Sequence, residues 1–155
     1  MPLDVRRAIA EDAEQVANLL RRSIIELCTP DHLGDPERYE RWIANKTPEN
    51  ALKWIEGPGA VFVAVTECRV SGVGMGSPDG EVLLNYVLPD ARFSGVSKAL
   101  MEAVEAYFVD AGLKTSKLKS SGTAERFYRS LGYAETGEVE VHRGMTFRSF
   151  RKSLI

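Results

Sequence analysis

The sequence is poor in the residues that build covalently or metal-held scaffolds. It has only two cysteines, Cys28 and Cys68, and two histidines. No Cys-x-x-Cys pair and no histidine cluster accompanies them, which argues against a disulfide framework and a zinc site, and no metal is expected. Long apolar runs are missing as well. The longest, around Ala60 to Val65, falls far short of what a bilayer crossing needs. The first residues are polar and charged (Asp4, Arg6, Arg7), unlike a secretory leader, so a cytoplasmic protein without membrane association is expected. No charge of one sign dominates: the net charge is -2, without the basic excess that a nucleic-acid surface requires. Lys114, Lys117 and Lys119 crowd one short segment and read as the solvated face of a strand.

What remains is ordinary globular composition, 44% hydrophobic and 27% charged over 155 residues, enough for one domain spanning residues 1–155. Asp4 to Ile9 reads as a strand. Ala13, Val16, Ala17, Leu20, Ile24 and Leu27 recur at helical spacing and predict an amphipathic helix from Glu11 to Cys28. Thr29 to Pro36 reads as a loop by its turn residues. Two short helices follow, one carrying Tyr39, Trp42 and Ile43, the other running from Pro48 to the Gly57-Pro58-Gly59 stop. Three strands, Ala60 to Thr66, Val70 to Met75 and Glu81 to Leu88, suggest an antiparallel meander.

The period then changes. Val96, Ala99, Leu100, Ala103, Val104, Tyr107, Phe108 and Ala111 predict a long helix stopped by Gly112. A strand over Ser116 to Ser120 leads to a short helix with Ala124, Phe127, Tyr128 and Leu131, stopped by Gly132. The tail reads as a hairpin around Arg143-Gly144. The order is strand, helices, three strands, helix, strand, helix, two strands, a mixed α/β arrangement without repeats.

The segment Arg92-Phe93-Ser94-Gly95-Val96-Ser97 joins a strand to the long helix. Small residues at a helix start leave backbone N–H groups aimed at one spot, and the helix dipole adds partial positive charge there. Such a place suits an anion, and Arg92 adds a cation. The plain alternative is a turn capped by serine.

The context of that loop resembles the GNAT superfamily of N-acetyltransferases, whose signature is Gln/Arg-x-x-Gly-x-Gly/Ala between a strand and a long helix. This chain has Arg92-x-x-Gly95-x-Ser97, preceded by Val87-Leu88-Pro89. A second motif of that family, Ala-x-x-Phe-Tyr-x-x-x-Gly-Phe/Tyr, is matched by Ala124 to Tyr133. The opening Arg6, Arg7, Ala8 and Ile9 with Asp12-Ala13 is similar to the family's first strand and helix. Two positions depart: Ser97 stands where Gly or Ala is usual, and Ser120-Ser121-Gly122-Thr123 lacks the customary asparagine, leaving its contact to Ser121 or Thr123.

The resemblance implies a GNAT-like acyltransferase fold, a mostly antiparallel twisted sheet with splayed middle strands flanked by helices. It implies acetyl-CoA as acyl donor, its pantetheine paired with backbone near Val87. The pyrophosphate would meet the N–H groups of Phe93, Ser94, Gly95, Val96, Ser97 and Lys98. The amine acceptor is a small molecule or a protein amino group, and a homodimer is compatible with the chain.

Tyr128 falls where the family holds a tyrosine near the sulfur, with a core tyrosine as the rival reading. Glu81 and His32 are candidate bases, each with a solvated residue as its alternative. By simple alternation, Asn85 shares a strand face with Glu81, Leu83 and Val87. Trp42, Trp54 and Tyr39 are either pocket wall or core. Asp31, Asp35 and Glu37 give the first loop an acidic lean toward cationic amines. Two further readings stay open: the same fold with a longer acyl-CoA, and a CoA-binding regulatory module without turnover.

Overall fold

The computed structural model describes residues 3–92, 94–142 and 144–155. Phe93 of the anion loop and Arg143 of the hairpin tip, both named above, lie outside them.

The expected order of elements is the observed one. Strand β1 (Asp4–Arg7) leads through a short 3-10 turn into α1 (Ala13–Leu27), followed by α2 (Thr29–His32), α3 (Pro36–Ile43) and α4 (Pro48–Glu56). Strands β2 (Ala60–Thr66), β3 (Arg69–Gly76) and β4 (Glu81–Val87) form the meander. Helix α5 (Val96–Asp110) crosses to β5 (Thr115–Ser121), and α6 (Glu125–Ser130) precedes the hairpin β6 (Ala134–His142) and β7 (Met145–Ser153). Among the described residues the strands make one seven-stranded sheet in the order β1-β2-β3-β4-β5-β7-β6. Its neighbours are antiparallel except β4 and β5, which run parallel.

One expected loop is partly helical. Thr29–His32 closes a single turn, with Leu33 N–H bonded to the Thr29 carbonyl at 2.7 Å, before Leu33 turns left-handed at φ 56°. The turn ends where its backbone bonds are handed to the His32 ring. On β5, Lys117 and Lys119 are exposed and alternate with buried Ser116, Leu118 and Ser120, as a half-buried strand requires.

Helices cover both faces of the sheet. Helix α1 supplies Val16, Ala17, Leu19 and Leu20 to a cluster with Val63, Val73 and Leu84. On the other face, α5 supplies Val104 and Phe108 to a cluster with Val82, Leu118 and Phe150, and Val96 and Leu100 to one with Val87. Helix α5 lies unusually close to β3, because Gly72, Gly74 and Gly76 alternate onto the face beneath it. A Cβ at Gly72 would stand 2.6 Å from Val96 Cγ1, and one at Gly76 would stand 2.7 Å from the Phe108 ring. Side chains at 96, 100, 104 and 108, one helical turn apart, thus lie in a backbone furrow, which sets the height of the helix start over the sheet.

Two irregularities open the middle of the sheet. Strands β4 and β5 pair only through Glu81↔Lys117 and Val82↔Leu118 and part beyond them. The β3–β4 register also jumps, from Met75↔Leu84 to Gly76↔Val82, so that Leu83 is an extra residue, a β-bulge. The bulge reverses alternation. Val82 and Val87 belong to clusters under α5, whereas Leu84 and Tyr86 pack in the α1 cluster. Asn85 therefore does not share its face with Glu81, as uninterrupted alternation predicts.

Candidate active site

The parted strands enclose a cavity of about 290 Å³. Its walls are Val82 to Val87 of β4, Lys119 to Ser121 of β5, Tyr128 of α6, and Cys28 and Trp42 beneath the first helices. One end is closed by Arg92 and by Gly95 to Lys98 at the start of α5.

That end is built for negative charge. Ser94 donates its hydroxyl to the Ala91 carbonyl, folding the loop back on itself. Gly95 sits at φ 83°, a conformation that favours glycine, and no side chain caps the helix. The first intrahelical bond is Ala99 N–H to the Gly95 carbonyl at 3.1 Å. The N–H groups of Val96, Ser97 and Lys98 consequently have no intrahelical acceptor. The first turn holds no acidic residue and does hold Lys98, a placement unfavourable to the helix by itself and favourable to a bound anion. Buried Val96 anchors the turn in the core, while Ser97 is partly exposed in the cavity wall. These residues fit a pyrophosphate. Val87, buried and lining the cavity, lies on the stretch of β4 whose β5 side is unpaired, which fits an amide-bearing chain laid alongside. Ser121 lines the opposite wall.

At the centre, Asn85 Nδ2 donates to the Tyr128 hydroxyl at 3.2 Å. Tyr128 is buried, and burial pushes its phenol up to about 12, partly offset by the Asn85 bond. It stays protonated at neutral pH, with its oxygen's acceptor role already used by Asn85. Its own proton is left to point elsewhere. Asn85 Oδ1 is buried and has no hydrogen-bond partner.

The candidate bases lie apart from this centre. Histidine 32 is 1% exposed, and both ring nitrogens are committed to backbone: Nδ1 accepts from Gly34 N–H at 3.0 Å and Nε2 faces the Ile24 carbonyl at 2.9 Å. Nδ1 being an acceptor, Nε2 carries the proton, and no lone pair remains for an incoming amine. His32 ties α1 to α2 rather than lining the cavity. Glu81 precedes the bulge and lines a separate pocket with Lys117, Arg151 and Glu138. Among the described residues, the cavity wall contains no Asp, Glu or His.

The fold divides the aromatic and acidic residues named from the sequence. Trp42 lines the cavity and meets Phe147 edge-on at 5.8 Å, whereas Trp54 packs against the core and Tyr39 against His32 at 5.2 Å. Asp31 accepts from Thr123 N–H at 3.3 Å and from the Thr123 hydroxyl, so its charge pins the α2 turn to the β5–α6 junction. Asp35 caps α3 by accepting from Glu37 N–H at 3.0 Å. Neither carboxylate lines the cavity, although the Asp31 charge is felt at Cys28 in its wall. Both cysteines are free, and the described residues include no cluster of His, Cys, Asp or Glu that could hold a metal. Among the described residues no helix is long and apolar enough to cross a membrane.

A sheet parted at its centre, an uncapped helix start on one side and a buried tyrosine on the other define an acyl-CoA-dependent transferase. Comparison with known proteins narrows this. Residues 23–154 match the family described as the acetyltransferase (GNAT) domain. The chain is 30% identical over 144 residues to the peptidyl-lysine N-acetyltransferase YjaB of Salmonella typhimurium, covering 91% of this chain and 90% of that one. Its fold superposes with a TM-score of 0.88 on a GCN5-related N-acetyltransferase from Rhodopseudomonas palustris, at 21% identity over 99% of this chain and 96% of that one. A PaiA N-acetyltransferase from Thermoplasma acidophilum, solved with coenzyme A, superposes with a TM-score of 0.78 at 20% identity, covering 99% of each chain. The chain belongs to the GNAT acetyltransferase family. It is an acyl-CoA-dependent N-acetyltransferase with acetyl-CoA as donor and an amine-type acceptor.

Proposed function

We propose that this N-acetyltransferase acts on a primary amine, with Tyr128 as hydrogen-bond donor to the departing sulfur and the start of α5 as the pyrophosphate seat. The observation that carries the reading is the Asn85 Nδ2–H bond to the phenol oxygen, which leaves the phenol's own proton for an acceptor in the cavity. Acetyl-CoA supplies the thioester whose C–S bond breaks as the C–N bond to the amine forms. A donor beside the sulfur stabilises charge that appears only as that bond breaks, so its effect falls on turnover. Arg92, Ser94, Gly95, Val96, Ser97 and Lys98 would hold the pyrophosphate, Val87 the pantetheine amides, and Ser121 the wall opposite.

Neither Glu81 nor His32 serves as base in this reading. An amine that sheds its hydration in a cavity without a carboxylate loses its proton more readily, because burial disfavours the charged form. The named activity of the Salmonella relative supports a lysine side chain, or an amine like it, as acceptor. Tyr128→Phe tests the assignment. Turnover is expected to fall by about a hundredfold with little change in the KM for acetyl-CoA. Unchanged turnover across a pH series would rule Tyr128 out.

A further inference from the structure

The cavity continues past Tyr128 and Asn85 toward the first helices, away from the anion-binding loop. Its walls there are Trp42, Tyr86, Phe147, Cys28 and Leu27. Trp42 packs edge-on against Phe147 at 5.8 Å, and Tyr86 lines the same space. Charge is distributed unevenly around it. The charged residues among the described lining are Arg92, Lys98 and Lys119, all cationic. Two carboxylates outside the wall are already engaged: Asp31, which keeps its charge, by the backbone and hydroxyl of Thr123, and Glu140 by the Lys119 ammonium at 3.0 Å. One polar atom in this space lacks a partner, the buried Oδ1 of Asn85.

An orphaned buried acceptor costs desolvation free energy unless a ligand supplies a donor. The thioester carbonyl has no N–H or O–H to give, and in the reading above the pantetheine amides pair with β4 backbone at Val87, which leaves the acceptor amine as the complement. From this we infer that the aromatic end of the cavity is the acceptor subsite, that it takes a primary amine on an apolar stem bearing no second cation, and that the amine N–H donates to Asn85 Oδ1. The inference rests on the acetyl-transfer reading above. A single amine enters by losing its proton, its stem packed on Trp42 and Phe147. A second ammonium a few carbons away finds no carboxylate in the cavity wall, so its desolvation goes uncompensated. Asn85 thus serves two partners. Its amide N–H holds the Tyr128 oxygen, and its carbonyl holds the nucleophile nearby.

The matched pair n-butylamine and 1,4-diaminobutane isolates the second charge, since the stems are identical. Acetyl transfer from acetyl-CoA is followed by thiol release, and coenzyme A affinity by calorimetry. The wild-type kcat/KM for n-butylamine is expected to exceed that for the diamine by about tenfold or more, the scale of an unpaired buried polar group. Asn85→Asp places a carboxylate at the same spot and is expected to narrow or invert that ratio while coenzyme A affinity holds. A wild-type ratio at or below one, or a ratio unmoved by Asn85→Asp in a variant that still binds coenzyme A and turns over, overturns the inference alone. Failure of wild type to acetylate either amine or a lysine peptide overturns the acetyl-transfer reading and this inference together.

Discussion

Gly72 lies directly beneath Val96, and a Cβ on that glycine would come within 2.6 Å of Val96 Cγ1 and 2.8 Å of Leu100 Cδ1. Valine and leucine here are buried and hemmed in, so an added methyl is relieved only by lifting the start of α5. That same turn carries the free N–H groups of Val96, Ser97 and Lys98. Gly72→Ala is therefore expected to destabilise the protein by about 1–3 kcal/mol, the scale of overpacking. It is also expected to raise the KM for acetyl-CoA more than that for the amine. Thermal unfolding and steady-state kinetics check both. An alanine variant with unchanged Tm and donor KM would mean that the furrow does not set the helix height.

The furrow also marks the limit of what the sequence makes legible. Helix α5 was plain because 3.6-residue periodicity repeats along one continuous element, and the anion loop followed from its position at the helix start. Glycines 72, 74 and 76 carry no hydrophobic signal, and their meaning depends on a helix some twenty residues away. The bulge at Leu83 is a register difference against β3, which a single strand cannot display, and missing it set Glu81 and Asn85 on one face. By residue type and position His32 reads as a candidate base or a solvated loop residue. Only the fold brings the Ile24 carbonyl and the Gly34 N–H to its two nitrogens. Tyr128 and Ser121 were found by motif spacing, whereas Trp42 and Phe147 come from separate, weakly patterned segments that the sheet brings together.

A second expectation concerns Arg6 and Asp12, joined by a two-pronged ion pair at 2.8 and 3.1 Å, with Asp12 also accepting from Ile9 N–H at 2.8 Å. The Arg6 bond holds the Asp12 carboxyl below its ordinary 3.8, burial opposing. A depressed folded value means that the stabilisation is whole above 3.8 and is lost as pH falls through the lower folded value. Asp12→Asn should remove about 2 kcal/mol at neutral pH, since the bonds are charge-assisted and Asp12 is buried. It should also flatten the acid limb of a stability–pH curve. Parallel curves for wild type and variant, offset by a constant down to the lowest pH, would assign that limb to other carboxylates.

The Asp31–Thr123 link joins the α2 turn, on the acceptor side, to the junction that carries Ser121 and leads into α6. Thr123→Val keeps the shape and removes the hydroxyl donor. One charge-assisted bond of this kind is worth about 1.5–3 kcal/mol, and most of that is expected as lost stability. Kinetically, the KM for the amine should rise more than the KM for acetyl-CoA, because Asp31 freed from Thr123 loosens the wall near Cys28 and Tyr86. Equal changes in both constants would show that the link supports the whole cleft rather than its acceptor side.

The two free thiols should differ sharply in reactivity. Cys68 is exposed in the β2–β3 turn, whereas Cys28 is buried in the cavity wall. Burial, reinforced by the Asp31 charge and opposed by Arg92, pushes the Cys28 thiol from 9.0 up to about 12. The thiolate is the reactive form, so at pH 8 those values correspond to roughly a thousandfold less nucleophile at Cys28 than at an ordinary cysteine. Iodoacetamide at pH 8 is therefore expected to label Cys68 within minutes and to leave Cys28 unmodified in the native protein, as read by peptide mass spectrometry. In denaturant the two should react alike. Native labelling of Cys28 at a rate near that of Cys68 would mean that the cavity wall opens to solvent far more often than its packing implies.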